Sequence, residues 1–122
     1  MWTPSESSSP AFRTVDLQRW RMAAHAAPGV RALIIFSGGL RQDACTDWQG
    51  NQTRAIGAYG EGSTVPSLWL YGENDSIWPA TLSKKMHAAY VANGATAKMV
   101  NFGAFKNDAH RLVGDGDGVR VC

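Results

Sequence analysis

Two side chains in this sequence have the types and the placing for proton transfer. Asp75 follows the apolar run Val65-Pro66-Ser67-Leu68-Trp69-Leu70-Tyr71, and His110 follows the next strand-like run. An imidazole titrates near neutral pH and can take the proton of a hydroxyl that is otherwise a poor nucleophile. A carboxylate fixes the imidazole tautomer and stabilises the imidazolium. Disabling such a carboxylate can cost on the order of 10⁴-fold in rate. The partner this chemistry needs is a serine on a sharp turn, and no G-x-S-x-G occurs among the 122 residues. Ser37, in Phe36-Ser37-Gly38-Gly39, stands in the right chain order before Asp75 and His110, and Gly39 suits a nucleophile elbow. Ile35 stands where that strained turn wants a small residue. The alternative for Ser37 is a strand-ending loop with a glycine pair. The alternative for Asp75 is a loop residue that caps the following helix, with Asp75 or Ser76 accepting from its free backbone N–H groups. Asp108, so near His110 in one loop, reads as a turn residue.

The elements that must carry these groups alternate. Residues 1–10, polar and rich in Ser and Pro, read as a disordered tail. Residues 11–122 read as one domain. A helix is expected over 11–26, stopped by Pro28-Gly29, then a buried strand over 30–36. A short helix is expected near 48–59 and a second strand over 65–71, whose unbroken apolar character suits a parallel sheet covered on both faces. Leu82, Met86, Ala89 and Tyr90 recur at helical spacing and predict a helix over 80–92, with Lys84 and Lys85 outward and Asn93-Gly94 as its stop. The third strand is expected over 97–102, a loop over 103–110 and a turn over 114–118. The order predicts an α/β fold, three αβα layers around a short parallel sheet with right-handed crossovers. In such sheets functional groups lie beyond the carboxyl ends of the strands, which puts Asp75 and His110 at one edge.

Composition excludes several classes. Twelve basic and ten acidic residues, net +2 and scattered, argue for neither a nucleic-acid partner nor a membrane surface. No apolar run could span a bilayer, and the start lacks a signal-peptide pattern, so a cytoplasmic location is expected. Cys45 and Cys122 form no C-x-x-C and read as free thiols, a bridge from Cys45 staying open if a longer form is exported. His25, His87 and His110 lack metal-ligand spacing, and Asp115-Gly116-Asp117-Gly118 lacks the remaining ligands of a calcium loop. No metal or cofactor is implied. Asn51-Gln52-Thr53 fits a glycosylation pattern that is common by chance. The five tryptophans read as core and crevice wall, with Trp78 a candidate for the wall.

WLYGENDSIWP followed by AKMVNFGAFKNDAHRL resembles the C-terminal part of α/β-hydrolases of the dienelactone hydrolase-like group, and PGVRALIIFSGG resembles the strand after their nucleophile helix. The resemblance covers roughly residues 28–121 and keeps the family's order. It implies an acid at Asp75, a base at His110 and a small-molecule ester or lactone as substrate. Three departures stand beside it: the missing G-x-S-x-G, Ala109 where the family often has glycine before its histidine, and an end at Cys122 before a last helix. Residues 1–27 also do not resemble the family's nucleophile turn. The expectation is a serine-hydrolase-type C-terminal half that is inactive alone. Its rival is a pseudo-hydrolase or a binding fragment that self-associates through an exposed sheet edge.

Overall fold

The computed structural model describes residues 20, 23, 25, 27–39, 41 and 43–114. Three parallel strands, β1 (Leu33–Phe36), β2 (Ser67–Tyr71) and β3 (Ala97–Asn101), form a sheet in the order β1-β2-β3. Helix α1 (Trp48–Glu61) joins the first pair and α2 (Ala80–Ala92) the second. A 3₁₀ helix, Ala109–Gly114, follows β3. The expected 1–10 tail and the 114–118 turn lie outside the described residues, apart from Gly114. So does most of the 11–26 helix, of which Trp20 and Ala23 are described, both helical and fully buried.

Strand lengths follow from hydrogen-bonding capacity. Pro66 has no N–H, so β2 begins at Ser67 rather than at Val65, although the Pro66 carbonyl still accepts from Leu33 N (3.0 Å). Opposite it, β1 begins at Leu33, because the turn at Pro28-Gly29 leads in: Val30 N closes onto Ala27 O and Gly29 has φ 94°. Helix α1 runs two residues beyond the expected 59, and α2 matches its expected span.

Two successive right-handed crossovers in one direction leave both helices on the same face. Ile35, Trp69 and Tyr71 on that face meet Ile56 of α1 and Leu82, Met86 and Tyr90 of α2 in one buried cluster. Trp69 is its centre. The ring lies 5.3 Å from Trp20, 5.1 Å from Tyr90 and 5.4 Å from His87, and Nε1 donates to Ser67 Oγ at 2.9 Å. His87 is half-buried, with Nε2 2.9 Å from the Ala97 carbonyl. The two helices approach closely at Gly60, where a side chain would run into the Tyr90 carbonyl.

Successive strand residues alternate faces, so Phe36 turns to the other side. There Phe36 and Phe102 pack against Phe105, Ala109 and Leu112. Among the described residues this cover reaches only the carboxyl end of that face: Ile34 is 60% exposed, and Leu68 and Leu70 are half-buried. The 3₁₀ turn that carries His110 is therefore seated at the same sheet edge as the loop carrying Asp75.

Candidate active site

Asp75 lies past the end of the middle strand and His110 past the end of the next one. Their side chains meet: His110 Nδ1 is 3.2 Å from Asp75 Oδ2. The carboxylate is fully buried, while the imidazole is 32% exposed. Asp75 Oδ1 accepts the backbone N–H of Ile77 and of Trp78, each at 2.8 Å. Asp75 therefore caps the turn at residues 75–78 and not the following helix α2, whose N-cap is Pro79. A carboxylate receiving two N–H donors on one oxygen is held as an acceptor. Its other oxygen can take an Nδ1–H from His110, the tautomer that would leave Nε2 as the basic atom of a neutral ring.

The two loops are clasped by more than this pair. The Asn74 side chain reaches across: Oδ1 accepts from Phe105 N (3.0 Å), and Nδ2 donates to Lys106 O (3.0 Å) and Phe105 O (3.4 Å). In return, Asp108 Oδ1 accepts from Ser76 N (3.0 Å) and from His110 N (2.9 Å), and Oδ2 from Ser76 Oγ (2.6 Å). Asp108 is therefore a bridge between loops and not only a turn residue of its own. The bonds it receives were not legible from spacing. A signal was present in the repeated Asn-Asp of Asn74-Asp75 and Asn107-Asp108, since such residues bond nearby backbone. Which loop each would bond is a matter of tertiary contact.

Partial burial works to raise the Asp108 pKa, but the bonds from Ser76 Oγ, Ser76 N–H and His110 N–H, with the charge of His110, outweigh it and hold the group below 3.8. A lowered folded-state pKa means that this stabilisation is complete above the unfolded value and lost as pH falls through the folded one. Urea midpoints measured from neutral pH downward should therefore drop more steeply below 3.8 in the parent chain than in Asp108→Asn.

Gly72 permits the docking of the 3₁₀ turn that carries His110. A Cβ there would overlap the Ala109 Cβ and come 2.7 Å from Phe102 Cε2. Ala109 itself is fully buried. Gly72→Ala should destabilise the chain by about 1–3 kcal/mol through overpacking and loosen the 3₁₀ turn. Thermal melts and the hydrogen-exchange protection of residues 109–112 would show both.

Ser37 lies apart from the pair in bonding. Its backbone is in the positive-φ region at 43°, its hydroxyl is buried without a hydrogen-bond partner, and it is therefore not bonded to His110. A non-glycine residue in that region stores about 1–3 kcal/mol of strain. Its N–H extends the ladder to Leu70 O at 2.9 Å. Trp78 packs into the core beside Gly39 and Trp48, at 3% exposure, and so is not a crevice wall. A surface pocket in the segment after β3 is lined by Phe105, Lys106, Asn107, Asp108 and Arg111. Arg41 links the loop after β1 to the acid loop, with Nε on Asp43 (2.7 Å) and one terminal nitrogen on Ser76 O (3.3 Å). Cys45 is an exposed free thiol. Among the described residues no cluster of His, Cys, Asp and Glu could hold a metal ion, and no helix is long and apolar enough to cross a membrane.

No protein-family model and no curated protein matches this chain. A solved structure does: the crystal structure titled "Putative Dienelactone Hydrolase" from Klebsiella pneumoniae subsp. pneumoniae MGH 78578, at a TM-score of 0.57 and 21% identity over 84% of this chain. The chain has a dienelactone hydrolase-like α/β fold. It spans 42% of that neighbour's length, so the likeness covers less than half of the larger protein. Within this dienelactone hydrolase-like fold, the acid loop follows the middle of the three described strands and the histidine loop follows the edge strand β3.

Proposed function

We propose that this chain carries the acid and the base of a serine-hydrolase-type enzyme acting on carboxylic esters or lactones. His110 takes the proton of the attacking serine at Nε2 and returns it to the leaving group. Asp75 holds the Nδ1–H and stabilises the imidazolium. The observation that carries this reading is the 3.2 Å contact between a partly exposed imidazole and a fully buried carboxylate. The dienelactone hydrolase-like fold supports it. The nucleophile belongs to a G-x-S-x-G turn that these residues do not contain, so the chain alone should be close to inactive. No cofactor enters.

The test is hydrolysis of a nitrophenyl ester by the chain and by its His110→Ala, Asp75→Asn and Ser37→Ala variants. A rate near the buffer background is expected for the chain alone. Any turnover above background should fall by orders of magnitude in His110→Ala. Turnover that ignores His110 and Asp75 contradicts the assignment, and turnover abolished by Ser37→Ala moves the nucleophile into the chain.

The 60% exposure of Ile34 favours a second reading, a pseudo-hydrolase whose sheet associates with a second copy of the chain. Size-exclusion chromatography separates the two, because a monomer at all concentrations would exclude self-association.

A further inference from the structure

We propose that Asp108 is a positioning residue for the Asp75–His110 pair: its carboxylate gathers the backbone of Ser76, next to the acid, and the backbone of His110 onto one group. The inference rests on the acid–base reading of the pair and adds to it the device that sets the spacing. Three bonds carry it, from Ser76 N at 3.0 Å, Ser76 Oγ at 2.6 Å and His110 N at 2.9 Å. Two of these end on the same oxygen, Oδ1, so the N–H groups of residues 76 and 110 are triangulated through a single atom. The imidazole and the carboxylate of the pair lie one residue or less from those anchored N–H groups. A pair made by two side chains from separate loops is only as well aligned as the loops are, and misplacement by an ångström is costly in proton-transfer chemistry.

The clasp also works in the opposite direction. Asn74 precedes the acid and bonds the backbone of Phe105 and Lys106, while its own carbonyl accepts from Ala109 N at 3.4 Å. Asn74 therefore seats the histidine loop on the acid loop, and Asp108 fixes the register between them. His110 feels the Asp108 charge directly as well. A test by simple loss of charge would confuse the two effects, so coupling within the pair is the quantity to read.

Asparagine at 108 can accept both N–H bonds on Oδ1 and meet Ser76 Oγ through its amide. Alanine can do neither. The imidazole of His110 is titrated by NMR in the full chain, with Asp or Asn at 75, in parent, Asp108→Asn and Asp108→Ala backgrounds. The drop in the His110 midpoint on Asp75→Asn measures the coupling, and the direct influence of residue 108 cancels. In the parent chain the midpoint should fall measurably on Asp75→Asn. Asp108→Asn should keep most of that drop, and Asp108→Ala should lose at least half. Should Asp108→Ala not fold, Ser76→Ala keeps the Asp108 charge, removes the 2.6 Å bond and should show a smaller loss of coupling. Equal coupling in every background that folds overturns the positioning role. No drop on Asp75→Asn in the parent overturns the pair itself, so the two failures are distinct.

Discussion

Trp69→Ala should leave most of the chain unfolded in the absence of denaturant. Trp69 is completely buried and is the shared neighbour of Trp20, Tyr71, His87 and Tyr90. Removing so large a ring forfeits its transfer free energy and leaves a cavity that a β-strand cannot close, for a loss of about 3–5 kcal/mol. Native domains have only about 5–15 kcal/mol in total. A sheet of three described strands with helices packed on one face belongs at the low end, since small buried cores give small margins. The substitution also orphans Ser67 Oγ, which now accepts from the indole. Far-ultraviolet circular dichroism with a urea titration reads the outcome. A cooperative transition with an unshifted midpoint would mean that Trp69 is not the centre of the core.

Asp75→Ala and Asp75→Asn should differ sharply in stability although both remove the charge. Alanine strands the N–H groups of Ile77 and Trp78 and the Nδ1–H of His110 together, in a site where the carboxylate has no solvent exposure. Each unmade buried bond costs about 1–3 kcal/mol, so a loss of about 3 kcal/mol or more is expected. Asparagine keeps the oxygen that serves the two backbone donors and should cost about 1–2 kcal/mol. Its amide presents a donor to His110, which forces the ring into the opposite tautomer. Thermal melts of the two variants side by side decide it. Equal losses would show that the turn at residues 75–78 does not depend on this side chain.

The fold was legible in the sequence where local pattern and tertiary packing agree. The stripe of Leu82, Met86 and Tyr90 marks the buried side of α2, and the apolar run ending at Tyr71 is the middle strand with parallel neighbours on both sides. Strand starts were less legible, because they depend on which neighbour can donate, as at Pro66. The 3₁₀ turn at Ala109–Gly114 was not foreseen, its first two residues being read as loop and its last as a turn, since it is seated by the fit of Ala109 onto Gly72 rather than by a periodic pattern of its own. The meeting of the Asp75 and His110 side chains was legible from their order after two strands. The roles of Asn74 and Asp108 were not, because polar side chains that bond backbone across loops leave no periodic trace.

The pair itself is tested most directly by NMR of the His110 ring nitrogens, in the parent chain and in Asp75→Asn. A neutral ring protonated at Nδ1 is expected in the parent, with a titration midpoint above that of the variant. A ring protonated at Nε2 in the parent, or the same midpoint in both proteins, would contradict it.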